Sequence, residues 1–501
     1  MGTQLVWFKR DLRVHDHAPL AEAAKAGPVI ALYVYEPEWF TWEEFDPSHL
    51  IFVNECLEDL DASLRARGGK LITRVGNLPE VFDALHDQHA FEAIWSHEET
   101  GNWITYMRDL RVKEWFGEKG VAWHERTQTG VVRRLKDRDG WSRRWYVRMS
   151  RPQVPAPERI ETPEGIRSAG IRGPEKFDLA DTPKTELQPG GEAHATQVLD
   201  SFLAYRGVNY RKDMSSPVTA WDGCSRLSTY FAYGAISVKT VHQALEERRR
   251  ELRELKKSQP DVLDKRWLGS LSSFAGRLRW HCHFMQKLED EPRIEFENMA
   301  RVYDGLREEA WSEERFQAWC AGQTGYPMVD ACIRALHDKS WINFRMRAML
   351  MSFSSYHLWL HWRRPAIYLG RHFLDYEPGI HYSQAQMQSG TTGINTVRIY
   401  SPSKQVKDHD PTGVFIRQWV PELAGVPDAY IANPETMPSD VQRKAGCRIG
   451  KDYPAPIVDH KEATDFARKQ IYGRRREARA REESQQIYAK HGSRRRPSRG
   501  G

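Results

Sequence analysis

Over the first 130 residues, short apolar runs alternate with amphipathic stretches. Gln4–Phe8, Val29–Val34, Lys70–Arg74, Ala93–His97 and Val121–Glu125 are short, rich in β-formers and bounded by polar residues or glycine. Each reads as a strand. Between them, Ala18–Ala26, Phe52–Arg67, Leu78–Gln88 and Trp103–Phe116 carry helical spacing. Single helices between strands imply right-handed crossovers and a Rossmann-like parallel sheet, so residues 1–132 are expected to form an α/β domain. No Gly-x-Gly-x-x-Gly follows the first strand, which removes the dinucleotide fingerprint. That strand runs instead into Phe-Lys-Arg-Asp-Leu-Arg-Val-His-Asp-His. Ligands in such sheets gather beyond the carboxyl ends of strands. Arg10, Asp11 and Arg13 therefore suit a ligand role or salt bridges between domains equally well.

Residues 133–196 break the pattern. Arg133, Arg134, Lys136, Arg138, Arg143, Arg144 and Arg148 interleave with Trp141, Trp145 and Tyr146. A solvated charged hairpin is the expectation here, with nucleic-acid contact as the alternative. Val147–Ala195 then reads as a Pro/Gly-rich connector. From Gln197 the spacing turns helical, with apolar residues at i, i+3 and i+4 to about Gly450, so residues 197–455 are expected to form a large all-α domain. Residues 456–501 read as a basic tail, one charged helix followed by a frayed Ser-Arg-Arg-Arg-Pro-Ser-Arg-Gly-Gly end.

Composition narrows the function. Of 501 residues, 18 are Trp, an excess that suits aromatic packing, base stacking or electron transfer. The six cysteines form no Cys-x-x-Cys pair, which argues against zinc and disulfide frameworks, and no metal is expected. Neither a signal region nor an apolar run of about 20 residues is present, so a cytoplasmic protein away from membranes is expected. From Arg468 onward twelve Lys and Arg face three Glu, so the end carries +9 and, with +6 overall, the body carries −3.

Four groups of residues carry candidate chemistry. Cys224, Ser225, Arg226, Leu227 and Ser228 open a helix and suit a phosphate cradle, although Ser at a helix start is more often a cap. Arg277, Trp280, His281 and Phe284 should share one helix face. His281 and His283 diverge at i, i+2 and make a poor metal pair. Trp341-Ile-Asn-Phe-Arg-Met-Arg347, followed by Asp375-Tyr-Glu377, suits a flavin, with arginine stabilising a ring anion and a carboxylate accepting its N–H. A buried ion-pair network without ligand fits the same spacing.

Together these segments resemble the photolyase/cryptochrome flavoproteins over residues 3–490. The resemblance rests on Leu-Val-Trp-Phe-Lys-Arg-Asp-Leu-Arg at the start, on Ser225–Ser228 with the helix that follows, and on Gly-Gln-Thr-Gly-Tyr-Pro-Met-Val-Asp. Arg345-Met-Arg347 and Phe415–Leu423 complete it. It implies an antenna domain, an all-α domain binding FAD and DNA, and a possible antenna chromophore of folate or deazaflavin type. Tyr210 and Cys224–Ser228 would hold the FAD phosphates. Arg347, Asp375, Tyr376, Glu377 and His381 would surround the ring, with His381 facing flavin N5. Arg277, Trp280, His281, Phe284, Phe344 and Arg345 would meet the lesion in ultraviolet-damaged DNA.

The chain departs from the family's usual pattern on the lesion side. Arg277 replaces a Glu, His281-Cys282 an Arg-Glu pair, Phe344 an Asn and Ala348 a Met. Trp362 and Trp311 match two relay tryptophans; Ala385 takes the inner place, leaving Tyr382, Trp359 or Tyr400 as substitutes. The expected function is that of a monomeric, blue-light-driven deoxyribodipyrimidine photo-lyase acting on cyclobutane dimers by electron transfer from excited reduced flavin. The alternative is a cryptochrome-type photoreceptor without repair. The absent lesion-pocket Glu favours the photoreceptor; the basic tail and the lack of a long extension favour repair.

Overall fold

The computed structural model describes residues 2–182 and 184–493. Strands β1 (Gln4–Phe8), β2 (Val29–Tyr35), β3 (Leu71–Val75), β4 (Ala93–His97) and β5 (Ala122–Arg126) form one sheet in the order β3-β2-β1-β4-β5. All neighbours run parallel, with Leu5 opposite Ile30 on one side and Ile94 on the other. Crossover helices α1 (Ala18–Ala26), α2 (Pro47–Arg65), α3 (Glu80–Gln88) and α4 (Trp103–Lys119) cover the sheet. A parallel sheet so covered buries both faces of its central strand. Leu5 and Trp7 accordingly pack with Phe82, Leu85 and Trp115. Val6 and Phe8 join the core shared with the helical half. Helix α2 starts five residues before the apolar period does, because Asp46 caps it through the Ser48 N–H and Pro47 fixes the first turn.

The expected charged hairpin is instead a helix, α5 (Trp141–Met149). Trp141, Trp145 and Met149 recur every four residues and are buried, while Arg143, Arg144 and Tyr146 face outward. Charge density hid a narrow apolar stripe. The connector that follows lies along β3, with Thr73 donating to Ser168 and accepting from Ala169. It thereby covers an edge that would otherwise pair freely.

The helical half includes α6 (Val238–Ser258), α7 (Arg266–Asp290), α8 (Pro327–Lys339), α9 (Phe344–Ser352), α10 (Arg363–His372) and α11 (Pro378–Ser389). Helices α7 and α11 approach closely at Gly379, where a Cβ would stand 2.6 Å from Met285 Cα. Gly234 plays the same part between the two halves. Its φ is +63°, and a Cβ would clash with the Arg10 carbonyl at 2.1 Å. Arg10 donates to the Ala232 and Tyr376 carbonyls, and Arg13 to that of Gly234. These arginines therefore pin the halves together chiefly through carbonyls.

The single charged helix expected near the end is two, α12 (His460–Arg476) and α13 (Ala478–His491), broken at the extended Glu477. Ala467, Ile471, Ala480 and Ile487 are buried against Met299, Tyr303 and Trp359. The expected frayed end, Ser493–Gly501, lies outside the described residues from Arg494 onward. Among those described, no helix is long and apolar enough to cross a membrane.

Candidate functional site

Helix α9 and the turn before α11 build the deep wall of the site. Arg347 meets Asp375 through two parallel bonds, of 2.9 and 3.0 Å, and donates to the Ile342 carbonyl. Its guanidinium lies 4.0 Å from the Phe373 ring. Such a fork holds a carboxylate in one orientation, which a lysine would not. Glu377 is buried with Arg10 3.9 Å away, and its Oε1 has no hydrogen-bond partner among the described residues. Burial, opposed by Arg10, raises its carboxyl to about 7. His381 on α11 donates from Nε2 to the Ala366 carbonyl, and burial lowers it to about 4, so the ring is neutral. Tyr376 turns toward the sheet instead, its hydroxyl accepting from Asn102 and its ring 5.2 Å from that of His381.

The phosphate-cradle residues are placed unequally. Leu227 is fully buried, so its side chain serves the core. Burial pushes the Cys224 thiol up to about 12, which removes it as a nucleophile. Ser225 accepts from the Leu227 N–H, and Ser228 opens a short helix. Tyr210 packs on Phe202 and Phe274. Arg226 is the informative residue. Its guanidinium is sandwiched 3.7 Å from Trp221 and 4.0 Å from Trp341, its φ is +62°, and its buried Nη1 has no hydrogen-bond partner among the described residues. Burial lowers it to about 9 against the pull of Asp375, so it stays cationic at neutral pH. The sequence offered no signal for this sandwich, whose indoles are far apart in the chain.

The outer rim lies one turn from the wall. Phe344 is 46% exposed with the Arg277 guanidinium 5.6 Å from its ring, and Arg345 reaches Ser215. Trp280 and Phe284 stack at 5.6 Å. The helix face expected to hold Arg277, Trp280, His281 and Phe284 divides here. His281 turns to Phe231 and lines a cavity between the halves with Lys9, Arg10 and Glu377. Asp11 lines the same cavity and accepts from His17, His97 and the Lys9 N–H.

Of the residues expected to relay electrons, Tyr382 and Trp362 have ring centroids 6.1 Å apart, and the His381 ring lies 5.5 Å from that of Tyr382. Trp362 donates to Asn298, whereas the Tyr382 hydroxyl has no hydrogen-bond partner among the described residues. Trp311 meets Phe316 at 5.1 Å, and no ring contact joins it to Trp362 among the described residues. Trp359 sits at φ +55° under the buried Arg307, 4.6 Å away, which disfavours loss of an electron there. Ala385 is buried on α11, and Tyr400 is bound through its N–H to Ser352.

An orphaned buried cation, Arg226, and an orphaned buried carboxyl oxygen, on Glu377, suit a ligand that has both an anionic group and a ring N–H. A flavin nucleotide is such a ligand, and the comparisons agree. Residues 274–472 match the family described as the FAD binding domain of DNA photolyase, and residues 4–137 that described as DNA photolyase. A deoxyribodipyrimidine photo-lyase of Streptomyces griseus is 30% identical over 92% of this chain and 98% of its own. A cryptochrome DASH of Gloeobacter violaceus is 28% identical over 91% and 93%. The crystal structure of a Synechocystis cryptochrome superposes with a TM-score of 0.82 at 24% identity, covering 93% of this chain and 98% of that one. Fold and site thus define a two-domain flavoprotein with an FAD-binding helical half. The chain belongs to the DNA photolyase and cryptochrome family.

Proposed function

We propose that this protein is a blue-light-driven lyase that splits pyrimidine dimers of the cyclobutane type in DNA. The observation carrying this reading is the rim on α9. There Phe344 is exposed beneath Arg277, with Arg345 beside it, one turn from the Arg347–Asp375 pair. Bases swung out of a duplex can stack on Phe344 while the two arginines meet the flanking phosphates. FAD, when bound, supplies the light-excited electron donor. Arg347 and Asp375 would fix the position of its ring, the ionised form of Glu377 would accept a ring N–H, and Arg226 would pair with a phosphate. Neutral His381 adds no charge beside the ring. Tyr376 orients the wall from the sheet side rather than touching the ring. Tyr382 and Trp362 form one route for resupplying electrons.

A second chromophore suits the space beyond the carboxyl ends of β1 and β2, which is lined by Trp7, Tyr33, Trp39, His49 and Arg108. A second reading, a photoreceptor that keeps FAD without repair, is favoured by Arg277 standing where repair members usually carry a carboxylate. Photoreduced protein mixed with ultraviolet-irradiated oligothymidine separates the two. Blue light should restore absorbance near the thymine band. No recovery with either cyclobutane dimers or 6-4 photoproducts would leave the photoreceptor.

A further inference from the structure

A basic stretch of helix is most often a solvated face, and α6 shows what such a face looks like in this molecule. Arg248, Arg249, Arg250 and Lys257 are each met by a glutamate three residues away on the same helix. The outer side of α12 is built differently. Ala467 and Ile471 hold that helix against the core. Arg468, Tyr472 and Arg476 follow on the adjacent outward face, each one turn, about 6 Å, from the next. Arg475 turns inward to the Asn395 carbonyl and the Tyr303 hydroxyl, which fixes the helix at this point.

The outward residues form one wall of an open cleft, and the turn at Gly305 and Leu306 forms the other. Lys469 and Arg474 also line it, so four cations stand against one carboxylate, that of Glu477. Arg468 pairs with Asp465 at 3.1 Å and Arg474 with Glu477 at 3.5 Å, in both cases across exposed side chains. Such pairs are weak and give way to a better anion. Lys469 and Arg476 pair with no carboxylate among the described residues. Tyr472 is 43% exposed among these cations. The space in front of it is open, since a Cβ on Gly305 or Gly473 would meet nothing within 4 Å.

We infer that this cleft binds an unpaired, single-stranded stretch of DNA. None of the rim residues on α7 and α9 lines it, so it is a second contact and not an extension of the first. Phosphates meet Lys469, Arg476 and the two exchangeable cations, while a base stacks on Tyr472. Paired bases cover one another's faces, so a ring flanked by cations suits a strand whose bases are free, and it holds that strand without regard to sequence. The choice of DNA rests on the reading above; the cleft itself requires neither flavin nor lesion.

The test is fluorescence anisotropy of the FAD-loaded, full-length protein with unirradiated single-stranded oligothymidine in the dark, joined to cross-linking of a 5-iodouracil-substituted strand and peptide mapping. A cross-link on the α12 peptide that contains Tyr472 is expected. Lys469→Gln combined with Arg476→Gln should weaken binding about tenfold and make the log–log salt slope shallower by about 1.4. Tyr472→Ala should weaken it about fivefold and Tyr472→Phe hardly at all. Thermal midpoints should stay in place, because all three side chains are exposed. Cross-links confined to the peptides of Trp280 and Phe344, or variants that bind like the parent protein, overturn the cleft and leave the repair reading standing. Tighter binding of a matched duplex, or retention on phosphatidylserine vesicles that the double variant abolishes, overturns the choice of an unpaired strand. Failure to restore irradiated oligothymidine under blue light, with the α12 cross-link present, would count against the repair reading alone.

Discussion

The Arg347–Asp375 wall and the Arg277–Phe344 rim are one turn apart on α9, yet their charges are held in different ways. Arg347 is forked onto a carboxylate whose side chain is 4% exposed. Arg277 reaches an aromatic ring, the sulfur of Met214 and the Tyr210 hydroxyl, and is itself exposed. A buried charge without its partner is costly, whereas an exposed one is screened by water and salt. The wall is therefore fixed by its own energetics, while the rim is free to change with the substrate. The departures Arg277 and Phe344 lie on that exposed rim, with the wall pair intact, whereas the departure at Ala348 is buried.

The contrast is most exposed to Arg347→Ala. That change leaves Asp375 buried and unpaired, a loss of about 3–5 kcal/mol, and removes the group expected to position the ring. Flavin should no longer co-elute with the protein, and the thermal midpoint should fall. Full retention of flavin would erase the distinction between wall and rim.

Behind the wall the junction with the sheet holds further buried acids, and these make it pH-sensitive. Among the described residues neither carboxyl oxygen of the buried Glu44 has a hydrogen-bond partner, and burial beside Glu295 raises it to about 8. Burial raises Glu295 to about 7 despite bonds from Asn102 and the Trp103 N–H. Folded values above the unfolded ones mean that the native state holds the extra protons. Their stabilisation is complete below the unfolded value and is lost as pH climbs through the folded one. Buried histidines such as His49 and His97, at about 4 and 3, are already neutral above pH 6.5. Asp46 and Glu291, both near 2, are already ionised. Between pH 6.5 and 8 the contribution of Glu44 alone should fall by about 2 kcal/mol. Glu44→Gln should remove most of that slope in urea titrations. An unchanged slope would mean that Glu44 is not the group responsible.

The sheet was legible because five apolar runs had sharp polar borders, and strands β1 and β4 fall where the pattern put them. Helix α5 was not, since Arg143 and Arg144 sit between its buried tryptophans and mask a four-residue period. The family was legible from ordered motifs, and those motifs drew attention to Arg347 and Asp375. What stayed hidden depends on contacts made only in three dimensions. Nothing in the sequence joins Trp221 to Trp341 around Arg226. The turning of His281 away from Trp280 was equally hidden. Those two residues are neighbours about 100° apart on α7, and packing against Phe231 rather than periodicity decides which cavity His281 faces.

The smallest effect tests the rim itself. Arg277→Ala removes an exposed cation that no carboxylate holds among the described residues, so neither folding nor flavin content should change. Ultraviolet-damaged oligonucleotide should bind about fivefold more weakly, roughly 1 kcal/mol, and the salt dependence should lose about one counterion. The second figure matters more than the first. A weaker affinity with an unchanged salt slope would mean that Arg277 acts by supporting Phe344 as a stacking surface rather than by meeting a phosphate. Unchanged binding would place the nucleic acid elsewhere and leave α9 as a cofactor wall alone.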